Sequence, residues 1–167
     1  LREIVVPTFK LLDHIMERNL KVIYFSSGGT IYGRAAEAKI TESCKLAPIN
    51  YCGYGKLLIE NYIKFLRRIG NLRYVILRPS NVYGKYQRAE AQQGFVSVAA
   101  GKIRSNQVIE IWGDGSTIRD YVEVSDVVMA VSTIIRNNIQ NKIFNIASGE
   151  GYTLDTILQV LEKYLNR

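Results

Sequence analysis

Polar side chains follow two short apolar runs of the sequence, and these positions are the first place to look for chemistry. The run VIYF (22–25) leads into Ser26-Ser27-Gly28-Gly29-Thr30, and the run YVIL (74–77) leads into Arg78-Pro79-Ser80-Asn81. Both runs are too compact for helices and have the composition of buried parallel strands. Ligands of open α/β sheets bind beyond the carboxyl ends of such strands. We therefore expect the ligand-binding groups of this protein at these two ends.

Basic residues are concentrated beside the same segments. The formal net charge is +7, and residues 56–88 hold eight Lys and Arg against Glu60 alone. This density fits either a site for phosphates or polyanions or, as the favoured interpretation, a solvated helix face with one or two ligand-binding arginines. The sequence has no zinc-finger spacing, basic-region heptad or RNA-binding aromatic signature. A basic interaction module, with nucleic acid as an unlikely partner, is therefore the weaker alternative.

The elements around the two runs predict an α/β fold. Apolar side chains recur at helical spacing over 3–18 and again over 51–68, before a stop at Gly70. Strand, loop, long helix and strand is the order of a doubly wound parallel sheet. The second half is more mixed, with predicted elements as follows: a helix at 94–103, strands at 108–112 and around 121–122, a helix at 126–136 capped by Ser125, a strand at 142–147, and a helix from 153 onward.

Composition excludes several classes of protein. Apolar residues make up 47% and charged residues 22%, which is ordinary for a globular chain and excludes disordered and collagen-like sequences. No apolar run approaches the roughly 20 residues that span a bilayer, and the first ten residues lack a signal-peptide layout. We therefore expect a cytoplasmic protein with no membrane partner. Cys44, Cys52 and the lone His14 offer neither a disulfide framework nor a four-ligand zinc site, so no metal is expected.

Five segments, in order, resemble the extended short-chain dehydrogenase/reductase family, and within it the NAD-dependent nucleotide-sugar epimerases and dehydratases. They are VIYFSSGGTIYG (22–33), YCGYGKLLIE (51–60), LRPSNVYG (77–84), IWGDGSTIRDYVEVSDV (111–127) and FNIASGEGYTL (144–154). The pattern is nearest to UDP-glucose 4-epimerase-like members. The resemblance implies a partial Rossmann-like parallel sheet with a smaller mixed α/β substrate-binding lobe, and it places Trp112 in the core of that lobe.

The resemblance also implies a division of the chain and a missing part. Family members open with a strand, a G-x-x-G-x-x-G turn and a helix whose amino end receives the cofactor pyrophosphate. These 167 residues contain no such motif, so we expect a fragment that lacks this N-terminal part. Residues 1–84 would be the latter part of the NAD-binding domain. Residues 85–167 would be mostly the substrate lobe, with 120–147 returning strands and a helix to the main sheet.

For catalysis, the resemblance implies NAD as the cofactor and a tyrosine–lysine pair for proton transfer. In the family the tyrosine takes the proton of a sugar hydroxyl, and a lysine four residues later holds the nicotinamide ribose. Lys56 matches the lysine, but Cys52 stands at the tyrosine position. Tyr51 and Tyr54 lie roughly 140° and 200° around a helix from Lys56. Cys52 is therefore either a thiol that acts through a bridging water or, as the favoured interpretation, a small residue in an impaired site.

The family also has a Ser or Thr that works with this pair, and this chain lacks a hydroxyl at the corresponding position. By the family's spacing it falls at Gly28, so that Ser27 and Thr30, on either side, are the candidate donors to the sugar oxygen. Resembling 4,6-dehydratases carry an Asp-Glu pair where this chain has Gly29-Thr30. The absence of these carboxylates argues against a dehydratase.

The remaining assignments concern ligand binding and function. The resemblance implies cofactor contacts from Lys56, Ser26, Arg78 and Pro79, although Arg78-Pro79 more simply support the joint between the lobes. It implies that Asn81 and Arg119 bind the sugar diphosphate, since a guanidinium fork matches phosphate oxygens.

The expected function is that of a UDP-hexose 4-epimerase working through a 4-keto sugar, with a UDP-sugar as its partner. A catalytically impaired remnant that only binds nucleotide sugar is the alternative. We also expect a homodimer, or association with the missing N-terminal part.

Overall fold

The computed structural model describes residues 2–34, 39–91, 93–111 and 113–165. Its helices are α1 (Arg2–Glu17), α2 (Gly28–Ile31), α3 (Tyr51–Gly70), α4 (Phe95–Arg104), α5 (Val124–Arg136) and α6 (Leu154–Leu165). Its strands are β1 (Lys21–Phe25), β2 (Arg73–Pro79), β3 (Asn81–Tyr83), β4 (Ile118–Glu123), β5 (Lys142–Ile146) and β6 (Gly151–Thr153). None of the described helices is long and apolar enough to cross a bilayer.

The chain folds into two compact units. Unit 1 comprises Leu1–Pro79 and Met129–Ile146, and unit 2 comprises Ser80–Val128 and Ala147–Arg167. Unit 1 is therefore assembled from two stretches of sequence, between which most of unit 2 is inserted. The assignment of these parts to cofactor and to substrate stays a prediction.

The parallel α/β sheet predicted from the sequence is confirmed in unit 1. Its strand order is β1-β2-β5, and both pairs are parallel. Because successive side chains of a strand point to opposite faces, the central strand β2 supplies both cores. Ile76 packs with apolar residues of α1 and α3, whereas Val75 and Leu77 pack on the other face with Ile134 of α5. Helices thus cover both faces, as a doubly wound fold requires.

Helix α3 begins and ends at residues that suit those positions. The Asn50 side chain caps its start, where Oδ1 accepts a hydrogen bond from the Gly53 amide at 2.8 Å. Asn71, with a φ of 61°, ends it in the left-handed region. Gly53 also brings the first turn of α3 against the loop after β1, since a Cβ there would lie 2.4 Å from the Thr30 carbonyl oxygen. This close approach is possible only without a side chain at residue 53.

A buried polar network holds α3 against the sheet. The Nε and Nη2 atoms of Arg78 donate to the two carboxylate oxygens of Glu60 at 3.0 and 2.7 Å, and these side chains are 1% and 0% exposed. Nη1 of Arg78 donates to the Tyr32 hydroxyl at 2.8 Å, and that hydroxyl donates to Oδ1 of Asn145 at 2.6 Å. The network joins α3, β2, the segment after α2, and β5. Glu60 lies about one helical turn after Lys56, so the network fixes the part of α3 that carries Lys56.

Unit 2 is organised around one aspartate. Its strands have the order β3-β4-β6, with β3 and β4 parallel and β4 and β6 antiparallel. The Asp120 carboxylate on β4 accepts hydrogen bonds from the Ser80 hydroxyl at 2.6 Å, the Ser148 amide at 3.1 Å and the Gly149 amide at 2.8 Å. Its backbone carbonyl accepts a further bond from Nδ2 of Asn81 at 2.8 Å. Asp120 therefore connects three segments that are distant in sequence.

Two local predictions are wrong. The strand expected at 108–112 is absent over 108–111, where Val108 is 81% exposed and no described strand pairs with the segment. Trp112, which was expected in a core, lies outside the described residues. Ser125 does not cap α5 but lies within it. Glu123 takes that role, because its carboxylate accepts hydrogen bonds from the Ser125 amide at 2.7 Å and from the Ser125 hydroxyl.

The buried pair predicts a large effect on stability. Glu60→Ala leaves the Arg78 guanidinium buried without its counter-charge, so we expect the free energy of unfolding to fall by about 3–5 kcal/mol. Urea denaturation followed by circular dichroism measures the change. Lys64→Ala is the matched control, since Lys64 approaches the same carboxylate at 3.8 Å but is 38% exposed. Its loss should not exceed about 1 kcal/mol, and equal losses for the two variants would contradict the assignment.

Candidate functional site

Lys56 lies at the carboxyl end of β1, where a parallel sheet presents its ligands. Its Nζ atom donates a hydrogen bond to the Phe25 carbonyl oxygen at 2.8 Å and lies 5.2 Å from the centre of the Tyr24 ring. An ammonium group has further N–H donors beyond this bond. Lys56 is thus held in place at the strand end and retains donors for a ligand.

Cys52 lies one helical turn before Lys56 on α3, and its thiol is free and exposed. The α-helix begins at Tyr51, so the helical spacing assumed from the sequence applies to this turn. Tyr51 is 84% exposed and Tyr54 is 49% exposed. Neither phenol shares the helix face of Lys56, and the position one turn before Lys56 carries only the shorter thiol.

Tyr24 is the phenol next to Lys56, but it is unsuited to act as a base. Its hydroxyl is buried and has no hydrogen-bond partner among the residues that the structure describes. Burial raises the pKa of Tyr24 above its ordinary value, and the Glu60 carboxylate and the Cys52 thiol raise it further. The phenol therefore stays protonated.

Hydroxyl groups line the loop that follows β1. Oγ of Ser26 and Oγ1 of Thr30 are buried without hydrogen-bond partners in the described part of the chain. Ser27 precedes α2 at the N-cap position, yet its side chain makes no capping bond. Buried hydroxyls normally have a partner, so the Ser26 and Thr30 hydroxyls have capacity for a bound group. The structure thus brings the predicted hydroxyl donors into the unit that carries Lys56.

Arg78 and Pro79 reach this loop through their backbone. The Arg78 guanidinium is committed to the buried network and also donates to the Glu42 carbonyl oxygen at 3.3 Å. A Cβ on Gly28 would lie 3.0 Å from the Arg78 carbonyl oxygen and 3.1 Å from that of Pro79. Any polar contact of these two residues with a cofactor would therefore come from their backbone, and their cofactor role stays a prediction.

Unit 2 contains a cavity of about 320 Å³ that includes both predicted substrate-binding residues. Asn81 and Arg119 line it together with Gln87, Phe95 and Tyr121. The Arg119 side chain is exposed and has no ion-pair partner among the described residues. Asn81 is held by its bond to the Asp120 carbonyl, which leaves its amide oxygen for a ligand donor. A cation and an anchored amide at one cavity suit an anionic, hydroxyl-bearing ligand.

The residues at the end of β1 fit one end of NAD. Lys56 supplies N–H donors, and the Ser26 hydroxyl is buried without a partner among the described residues. These groups suit the hydroxyl-rich nicotinamide ribose. The turn for the pyrophosphate, G-x-x-G-x-x-G, is not among the 167 residues. In the described ranges, no three His, Cys, Asp or Glu side chains are grouped so that they could hold a metal ion.

Sequence reasoning missed three residues that shape these sites. The sequence could have indicated Glu60, since it follows Lys56 by four residues and is the only acidic residue in 56–88. The sequence shows Asp120 only as the residue after Arg119, whereas in the structure it connects three segments of unit 2. Gln87 lines the cavity with Arg119 and has no signal in the sequence.

Comparison with known proteins shows consistent similarities. The model of the NAD dependent epimerase/dehydratase family matches residues 1–147. The dTDP-4-dehydro-6-deoxyglucose reductase of Escherichia coli is 35% identical over 147 residues, which cover 88% of this chain and 46% of the reductase. The UDP-glucose 4-epimerase of Thermotoga maritima, solved with UDP-glucose, is 32% identical with a TM-score of 0.91, covering 97% of this chain and 53% of that one. The UDP-glucose 4-epimerase of Thermus thermophilus, solved with NAD, is 26% identical with a TM-score of 0.90, covering 99% and 55%.

This chain therefore spans about half the length of the proteins it matches. The TM-scores confirm the predicted fold class, and the family match confirms the resemblance read from the five sequence segments. The family is NAD dependent by its description. Because the family model covers most of the chain and relatives exceed 30% identity, the chain belongs to the NAD dependent epimerase/dehydratase family.

Proposed function

We propose that this chain is part of an NAD-dependent nucleotide-sugar epimerase that acts on a UDP-hexose at C4. The observation that carries the proposal is the cavity of unit 2, where the Arg119 guanidinium has no ion-pair partner in the described residues and stands with Asn81. A nucleotide sugar carries the diphosphate that such a guanidinium binds well. Relatives named UDP-glucose 4-epimerase, one of them solved with UDP-glucose, support this substrate class.

In this proposal, unit 2 binds the nucleotide sugar. Arg119 pairs with the diphosphate through charge-assisted hydrogen bonds. Asn81 accepts a hydrogen bond from a ligand hydroxyl with its amide oxygen, because its Nδ2 is already bound to the Asp120 carbonyl. Asp120 positions both, since it follows Arg119 in β4 and holds the segment of Asn81.

Unit 1 carries the proton-transfer groups of the proposal. NAD, when bound, takes up and returns a hydride at the sugar carbon. Lys56 would hold the nicotinamide ribose through the N–H donors of its ammonium group. Cys52 is the acid–base group on that helix face, acting directly or through a water. Ser27 and Thr30 donate hydrogen bonds to the sugar oxygen, so that C4 can be inverted through a 4-keto sugar.

A second candidate function is nucleotide-sugar binding with little or no turnover. The exposed Cys52 at the base position and Gly28 at the hydroxyl position favour it, because both are shorter than the groups that the chemistry needs. Conversion of UDP-glucose to UDP-galactose in the presence of NAD separates the two candidates.

Association, as a homodimer or with a further segment, stays a prediction that sedimentation velocity would test.

Arg119 provides the direct test of the substrate site. We expect the purified chain to bind UDP-glucose in isothermal titration calorimetry, and Arg119→Gln to weaken this binding by about 10–100-fold, the effect of losing a charged hydrogen-bond partner. Arg104→Gln is the control, because Arg104 is an exposed arginine of unit 2 that does not line the cavity. Equal effects of the two changes would refute a specific diphosphate site at Arg119.

The 167-residue chain should bind NAD weakly. Lys56 and the Ser26 hydroxyl offer contacts to the ribose, but the sequence has no glycine turn for the pyrophosphate. We expect no saturation at micromolar NAD in a titration followed by tryptophan or nucleotide fluorescence. Submicromolar affinity of this chain would contradict the expectation.

Cys52 tests the catalytic assignment in the natural polypeptide that carries this sequence. Cys52→Tyr places a phenol one helical turn before Lys56, so we expect epimerase activity to rise by about 10²–10⁴-fold, the usual worth of a positioned general base. Tyr51→Phe and Tyr54→Phe are the controls and should change activity little, because their side chains lie on other helix faces. If Cys52→Ser abolishes strong activity while Cys52→Tyr gives no gain, the thiol is the working base.

A further inference from the structure

Gln87 lines two adjoining cavities of unit 2, of about 320 and about 280 Å³, which share Val82, Tyr83 and Gln87. Its side-chain oxygen, Oε1, is buried and has no hydrogen-bond donor among the residues that the structure describes. Buried amide oxygens in proteins nearly always have a donor from protein, water or ligand. The unpaired oxygen therefore marks a position where a donor is missing.

One end of the Gln87 side-chain amide is hydrogen-bonded to a neighbouring segment. Its Nε2 atom donates to the Gln93 carbonyl oxygen at 3.4 Å, which directs the other end of the amide, Oε1, away from that carbonyl. The backbone amide of Gln87 closes a turn by donating to the Gly84 carbonyl at 3.3 Å.

Gly94 makes room for this arrangement. Its φ is +84°, in the region that favours glycine, and a Cβ there would lie 2.0 Å from Nε2 of Gln87. A side chain at residue 94 would displace the Gln87 amide from this position, so glycine at 94 leaves room for the amide at the cavity wall.

We propose that Gln87 is a ligand-binding residue whose amide oxygen accepts a hydrogen bond from an N–H or O–H group of the bound nucleotide sugar. The inference rests on the proposed function, since it names a second contact in the cavity that holds Arg119. Arg119 binds the diphosphate that all nucleoside diphosphate sugars share, so it does not distinguish one base or sugar from another. An amide oxygen selects for a hydrogen-bond donor, so Gln87 adds specificity that the guanidinium cannot give.

Two parts of a UDP-hexose carry such donors, the N3–H of uracil and the hydroxyls of the sugar. UDP and UDP-glucose distinguish them, because UDP has the base donor and lacks the hexose. The 3-methyl derivative of UDP lacks the N3–H group and tests the base alone.

The experiment is isothermal titration calorimetry of the 167-residue chain with UDP-glucose, UDP and 3-methyl-UDP. Gln87→Met keeps the length of the side chain and removes its polar atoms, so we expect affinity for UDP-glucose to fall by about 3–10-fold, the effect of losing one neutral hydrogen bond. Gln107→Met is the matched control, since Gln107 is exposed and lines neither cavity. It should leave the affinity unchanged.

The ligand series separates a contact with ligand from a merely structural role. If the donor is uracil N3–H, the wild-type chain binds 3-methyl-UDP more weakly than UDP, whereas Gln87→Met binds both equally. If the donor is a sugar hydroxyl, the loss appears with UDP-glucose and not with UDP. Circular dichroism verifies the fold of the variant. If Gln87→Met does not fold, 3-methyl-UDP and UDP-glucose analogues that each lack one hydroxyl test the contact on the wild-type chain.

Two results would overturn the inference. Affinities of Gln87→Met within about twofold of wild type for every ligand would remove Gln87 from the site while leaving the proposed function intact. A uniform loss with all ligands, including those without the donor, would assign Gln87 a structural role only. Failure of the wild-type chain to bind UDP-glucose would overturn both the inference and the proposed function.

Discussion

The buried ion pair between Glu60 and Arg78 is the constraint on which the arrangement of unit 1 depends. Two charges withdrawn from water are tolerated only when each satisfies the other with good geometry, and here both carboxylate oxygens face the guanidinium. This requirement leaves little freedom in how α3 lies against β2. Lys56, about one turn away, consequently reaches the end of β1, and Tyr32 extends the same network to β5.

Unit 2 uses a second acidic residue for a comparable purpose. Asp120 is bound by hydroxyl and amide donors rather than by a counter-ion, and these donors come from segments on either side of β4 in the sequence. Its neighbour Arg119 therefore lies in a strand that is hydrogen-bonded to segments before and after it in the sequence. In each unit a carboxylate held by protein hydrogen bonds lies near the basic side chain that we associate with the chemistry or the binding, Lys56 in unit 1 and Arg119 in unit 2.

Much of the fold could be predicted because its signals are local. The apolar runs of β1, β2 and β5 and the periodic patterns of α1 and α3 each lie within one segment. Strands β3 and β6 are three residues long, too short to show any alternation. The run at 108–112 has a strand-like composition, but composition cannot show whether a partner strand exists. The predicted cap of α5 was wrong for a similar reason. Residue preferences favour Ser125, but they do not show that the Glu123 carboxylate reaches the Ser125 amide.

The candidate site likewise contains some residues that local sequence patterns predict and others that they do not. Cys52 and Lys56 could be placed by helical spacing, and Ser26 and Asn81 by their positions at strand ends, since both inferences need only local geometry. The burial of Arg78 and the place of Gln87 at a cavity could not be predicted. They depend on which distant segments meet, and a single sequence does not contain that information.

The discontinuity of unit 1 has a consequence for how the molecule is made. Strand β5 pairs directly with β2, although all of 80–141 separates them in the sequence. A ribosome releases α1, β1, α3 and β2 before the residues that separate β2 from β5, and residues of α1, α3 and β2 share one apolar core. Until residues 142–146 emerge, one edge of β2 has no neighbour and the Tyr32 hydroxyl has no acceptor. Closing so long a loop is entropically unfavourable and slow, and an open edge invites pairing with other chains. The nascent protein is therefore most vulnerable to misassembly while the inserted residues are being synthesised.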